Sequence, residues 1–387
     1  MKLKLTLLFF IIACRVVAQH HLPVVKANSN KAKFHEGNMA VYNWYIDPAV
    51  KTDVFTSGKL TRVTNFVFKT DIDSISFKLK PGQQKDFIVL LNGRDSCLTR
   101  IQSPELKNYS ASANAFHDTV AFKINKYNTN YVPVVINGTD SILLNFDTGA
   151  TDVCIISESL KNKIKAKLKL YNTPYAISIG SKDFKSKIYD ITTVGHEVDG
   201  LLGWDIFDGM VVELDYDKQK MIIHSAMPKH LTKDKGYEKF NITYIRNKPF
   251  IESNISQGSV TSKSLFFFDL GYQRAAMLDN DVLVNAKFPV EKTQVIKKVI
   301  MHGSRGNEIP VITAALQDLQ IGKFRLKNVP AQIMIEGKPL PGTNVHYLGS
   351  DILKRFNTVL DFQHNAIYLK PNSYYNAAFA DQAKDGA

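Results

Sequence analysis

One pattern occurs twice in this chain and limits the folds open to it more than any other feature. Leu202-Gly203-Trp204-Asp205-Ile206-Phe207, running on to Leu214-Asp215-Tyr216 and Met221-Ile222-Ile223, aligns without gaps on a later segment. That second copy is Leu348-Gly349-Ser350-Asp351-Ile352-Leu353, then Leu360-Asp361-Phe362 and Ile367-Tyr368-Leu369. Each copy reads as Leu-Gly-x-Asp-Ile, a short helical stretch, and two strands joined by a polar turn. Asp205 and Asp351 are expected to cap the helices, and Asp215 and Asp361 to mark strand ends.

Upstream of each copy an apolar run ends in an Asp followed one residue later by Gly. These are Leu143-Leu144-Asn145-Phe146-Asp147-Thr148-Gly149-Ala150 and Leu265-Phe266-Phe267-Phe268-Asp269-Leu270-Gly271-Tyr272. The Asp-to-Leu-Gly separation is 56 residues in the first copy (147 to 203) and 80 in the second (269 to 349), so the second holds 24 more. The surplus is expected between Asn280 and Pro341, with residues 292–306 forming a longer hairpin. Two homologous β lobes follow.

An Asp at the exit of an apolar strand loses water, and a buried carboxylate must be paired or hydrogen-bonded. Two such Asp in two similar lobes are natural partners across a pseudo-twofold axis, sharing one proton because two adjacent like charges cannot both persist. The ionised member can take a proton from a water held between them while the protonated member polarises a carbonyl. Gly149 and Gly271 let each loop turn its N–H groups towards the carboxylate with no Cβ in the way. Thr148 can hydrogen-bond to the opposite loop.

These residues resemble the active-site loop of aspartic proteases of the pepsin and retropepsin kind, in the style of bacterial exported two-lobed members. Phe146-Asp147-Thr148-Gly149-Ala150 is similar to the catalytic loop, and Leu201-Leu202-Gly203 and Tyr347-Leu348-Gly349 to the hydrophobic-hydrophobic-Gly element behind it. The resemblance covers about residues 120 to 372. It implies a mainly β fold of two barrel lobes forming a cleft, an Asp147/Asp269 catalytic pair supported by Thr148, Gly149, Ala150 and Gly271, a polypeptide substrate bound in an extended conformation, and neither metal nor cofactor. It also implies a hairpin flap. Gly180-Ser181, at the tip of Ile177-Ser178-Ile179-Gly180-Ser181-Lys182, is the candidate in the first lobe, and His302-Gly303-Ser304-Arg305-Gly306 forms a similar turn in the second. Leu270 departs from the family pattern, since it cannot return the hydrogen bond that Thr148 offers. Ala150 has no hydroxyl to steady the Asp147 charge, so the pair is expected to titrate higher than in relatives with Ser or Thr there.

The remainder divides as follows: an export signal at residues 1–18, an amino-terminal β domain at 19–115, lobes at 120–230 and 236–375, and a tail at 376–387. The signal rests on Lys2 and Lys4, the apolar stretch of residues 5–13, and Val16-Val17-Ala18-Gln19; the stretch is too short to span a bilayer. The mature chain is then expected to be periplasmic or extracellular, with Ile11-Ile12-Ala13-Cys14 offering the alternative of an outer-membrane lipoprotein anchored at Cys14. The amino-terminal domain shows alternating runs such as Phe77-Lys78-Leu79-Lys80, with Pro81-Gly82 and Asn92-Gly93 as turns. The 23 Phe and 16 Tyr, against 2 Trp, fit a strand-rich chain.

The formal charge is +13, or +10 after Lys2, Lys4 and Arg15 leave with the signal. The lysines are dispersed, which reads as a basic solvated surface and not a nucleic-acid groove. Cys97 and Cys154 could form one disulfide in an oxidising compartment, although Cys154, in Val153-Cys154-Ile155-Ile156, reads as a buried small hydrophobe. No nucleophile elbow, phosphate loop or metal-ligand spacing is present. The leading expectation is a monomeric endopeptidase. Pairing of two first lobes from separate chains, and a peptide or glycan binder without turnover, are the alternatives.

Overall fold

The computed structural model describes residues 22–38, 40–111, 115–302, 308–334 and 336–381; the expected signal with Cys14 and the turn residues 303–307 lie outside them. The chain is mainly β. Strands between residues 24 and 102 form two four-stranded sheets. Their inward residues, among them Phe34, Phe66, Phe68 and Phe87, share one core. Asn92 and Gly93 both take positive φ in the turn between Gln84–Leu91 and Asp95–Gln102, the hairpin role expected of them.

Each repeat copy closes into a six-stranded ring. In the first the order is Asn130–Ile136, Asp140–Asp147, Gly200–Gly203, Val153–Ile156, Lys182–Ile191, Pro174–Ile179, and back to Asn130–Ile136. In the second it is Lys248–Gln257, Val260–Phe268, His346–Leu348, Ala276–Leu278, Phe324–Met334, Glu308–Ile321, and back to Lys248–Gln257. Strand senses agree at every step: the Asp strand runs parallel to the Leu-Gly strand in both rings. The second ring's surplus is the hairpin Gln294–His302 with Glu308–Ile321, within the region expected.

A six-stranded sheet joins the rings. Its centre is the antiparallel pair Val211–Asp215 and Phe356–Asp361, in which Glu213 faces Val359. The copies are offset by 146 residues, Leu202 aligning with Leu348, so Glu213 and Val359 are equivalent positions. An antiparallel pair centred on equivalent residues has local twofold symmetry. Asp215 and Asp361 end their strands as expected. Asp205 and Asp351 do not cap their helices: Gly203 and Gly349 stand at the caps, and the Asp residues fall inside the first turn. Residues 372–381 are tied down by buried Arg355, which donates to the carbonyls of Tyr374, Tyr375, Ala377 and Ala378.

Both cysteines are free, so the disulfide does not form. Cys97 belongs to the core of the amino-terminal sheets and Cys154 to the first ring. Among the described residues no helix is long and apolar enough to cross a membrane.

Candidate active site

Strand Asp140–Asp147 begins with alternating burial and becomes wholly buried over its last four residues; Val260–Phe268 likewise ends in three buried Phe. Alternation fails where a strand leaves the surface and is covered on both faces. Each Asp is therefore carried inward by the apolar run before it. The Leu-Gly strands press the loops from behind, and a Cβ on Gly203 or Gly349 would overlap the backbone of Thr151 or of Arg274.

The two carboxylates meet and hydrogen-bond to each other. Asp147 retains 7% of its exposure and Asp269 8%, so both are buried. Gly149 N donates to Asp147 Oδ1 at 2.6 Å. Gly271 N and Tyr272 N donate to Asp269 Oδ1 at 2.9 and 3.1 Å. Gly271 also lies so close to the opposite Asp147 that a Cβ there would overlap its carboxyl group. Burial raises both carboxyls above their ordinary range. Asp269 rises further because it also faces the Asp147 charge, while the Lys248 cation and the loop N–H groups pull against the rise in both. The pair is therefore arranged to share one proton, with Asp269 the more strongly raised member.

Thr148 is fully buried; its Oγ1 donates to Phe268 O at 2.5 Å and accepts from Leu270 N at 3.0 Å. Leu270 offers nothing in return, and its side chain, 1% exposed, joins the apolar core. Its carbonyl is held from elsewhere, by Ser350 Oγ at 2.7 Å and Asn130 Nδ2 at 3.2 Å. Asn145 Nδ2 in turn donates to Asn130 O and Oδ1. Ala150 N bonds the Asp147 carbonyl at 3.3 Å, and its methyl adds no hydroxyl.

The structure thus brings together Asp147, Asp269, Thr148, Gly149, Ala150 and Gly271. It does not bring the Gly180–Ser181 tip to them. Ser181 N donates to Asp118 Oδ2 at 2.6 Å, pinning that turn to strand His117–Ala121 of the joining sheet. The hairpin nearer to them is the second ring's surplus: Val299, Met301 and Ile309 pack on the same Met277, Val311 and Met334 cluster as Tyr272 and Tyr347, the tyrosines that sense the Asp269 charge. Its tip, including the Gly303-to-Gly306 turn, lies outside the described residues.

Lys248 was not legible as a site residue. Its Nζ bonds Gly149 O and lies 5.2 Å from the centre of the Phe267 ring. Asn130 and Ser350 were missed equally, because polar partners from distant segments follow no local spacing.

No family model matches the chain, and no curated protein matches it. Among solved structures, the aspartic proteinase from Irpex lacteus is similar with a TM-score of 0.46 at 14% identity, covering 68% of this chain and 99% of that one.

Proposed function

We propose that this chain is an aspartic-type endopeptidase acting through Asp147 and Asp269. The observation that carries the reading is the buried, hydrogen-bonded carboxylate pair supplied by equivalent strands of two closed rings. In this mechanism Asp147, the charged member, takes a proton from a water placed between the carboxyls, and Asp269 gives its proton to the scissile carbonyl oxygen. A tetrahedral diol forms. Its collapse returns a proton to the leaving amine and restores the shared proton. Extended polypeptide is the substrate class, with the hairpin Gln294–His302/Glu308–Ile321 in place of the Gly180–Ser181 turn as the covering element. The chain works as a monomer, exported by its first 18 residues to the periplasm or beyond.

The test is cleavage of an unstructured protein from pH 3 to 8 by the mature chain, Asp147→Asn, Asp269→Asn, and the wild type with a pepstatin-like inhibitor. Loss of cleavage in both variants is expected. Cleavage surviving Asp269→Asn points instead to a dimer of first rings, and no cleavage by any form points to a peptide or glycan binder.

A further inference from the structure

We infer that Lys248 is a positioning residue for the Asp147/Asp269 pair, and that the amino-terminal β domain holds it there by gripping the turn from which it projects. The inference rests on the proposed role of the pair. Phe250 pairs with Phe267, so the antiparallel register brings Lys248 opposite Asp269. The matching place opposite Asp147 belongs to Thr129, a neutral group that accepts from Gln273 Nε2. A lysine is therefore no requirement of the repeat. It ties the first loop, through Gly149 O, to the start of a second-ring strand, and places a positive charge beside both carboxyls.

The turn before it is unusual: Arg246 and Asn247, neither of them Gly, take φ of 51° and 59°. They form the two-residue turn of a hairpin, where Asn is at ease but Arg is disfavoured and gains from outside support. The amino-terminal domain supplies much of it. Arg246 Nη2 donates to Val41 O at 2.5 Å, with its guanidinium 5.0 Å above the Tyr42 ring and its charge acting on buried Glu36. Asn247 Oδ1 accepts from Lys59 N at 3.0 Å, and Gly58 is so close that a Cβ would lie 2.7 Å from Asn247 N. Lys59 anchors that loop, its Nζ buried against Asp208 at 2.5 Å and Phe362 O at 2.8 Å. Behind the turn, Ala40 and Tyr42 share an apolar cluster with Phe250 and Phe267.

Among the described residues, Tyr272, Tyr347 and Cys154 also sense the pair. Burial pushes all three up, the Cys154 thiol to about 11, so they stay neutral through the acid range. Lys248 then favours the charged form and lowers the pH interval in which the pair holds a single proton.

The experiment is carboxyl-carbon NMR titration of Asp147 and Asp269 in the mature chain, beside the pH profile of peptide cleavage. Wild type, Lys248→Met, Lys248→Arg and Gly58→Ala are compared. Lys248→Met is expected to move both titration midpoints, and both limbs of the profile, upward by about one pH unit, with Lys248→Arg restoring most of the shift. Gly58→Ala, which touches neither carboxylate, is expected to move them the same way by less. Unchanged midpoints in Lys248→Met overturn the role of the lysine. Unchanged midpoints in Gly58→Ala, with melting near that of the wild type, overturn the grip of the amino-terminal domain. A chain that cuts nothing yet shows the shifted midpoints would sink the peptidase reading and leave this one standing.

Discussion

The two Asp loops come from equivalent strands and end in the same short range, yet they are secured differently. Thr148 of the first loop reaches across the axis and bonds Phe268 O and Leu270 N. Leu270 of the second loop has no hydroxyl, and its carbonyl is bound by Ser350 and Asn130. The helix behind each loop carries the complementary change. Ser350 opens the second helix, while its equivalent in the first is Trp204, whose Nε1 donates to Asn247 O and whose ring stacks with Tyr244 and Phe362. The loop lacking a hydroxyl is thus backed by a helix that supplies one. The loop that has its own is backed by an indole turned to the Asn247 turn. A broken motif on one side of a pseudo-twofold axis need not mean a broken site, provided its buried polar groups find partners.

The largest effect is expected where the loops do not differ. In the proposed mechanism Asp147→Asn and Asp269→Asn each remove one of the two proton-transfer roles and should lower kcat/KM by about 10³-fold or more, read as cleavage rate against pH. Equal losses would mean that the asymmetry in support does not reach the chemistry. Thr148→Val comes next. It strands a buried carbonyl and a buried N–H together and should cost about 2–4 kcal/mol, read as a lower melting temperature. Ser350→Ala should cost only about 1 kcal/mol, since Asn130 still serves Leu270 O. If Ser350→Ala proves as damaging as Thr148→Val, the second loop depends on a single side chain as the first does, and the comparison fails.

Much of the frame could be read before any coordinates. The alignment of Leu202-Gly203 with Leu348-Gly349, and an Asp after each apolar run, placed Asp147, Asp269 and the glycines in one site because repeats impose symmetry. What escaped had no repeat behind it. Gly180-Ser181 has the composition of a flap tip, but tip composition does not say where a hairpin lies, and Asp118 draws it to the joining sheet. Asp205 and Asp351 sit where caps are common, yet glycines held tightly against the loops took the cap positions. A Cys97–Cys154 bridge could not be judged from spacing, since Cys97 lies in the core of the amino-terminal sheets and Cys154, half-buried and not the fully buried small hydrophobe expected, on a strand of the first ring. Lys248 needed the register of its hairpin, and Ser350 needed the neighbour it serves.

The smallest effect separates the loops by their electrostatics. Burial raises both carboxyls, and Asp269 further because it faces the Asp147 charge, so over the interval between the ordinary carboxylate range and the raised one the folded chain holds a proton that the unfolded chain has released. Stability from that proton is fully present below the unfolded pKa and is lost as pH rises towards the folded pKa. Asn in place of Asp269 removes the loss. Asp269→Asn should therefore melt about 2–4 °C above the wild type at pH 7, the scale of ~1 kcal/mol, and level with it near pH 3. Asp147→Asn should gain less at pH 7, because the Asp147 carboxyl rises less. Thermal melts of the three forms across that range read the difference directly. The reverse order would place the shared proton on Asp147 and exchange the opening roles of base and acid, whereas the pair itself would stand.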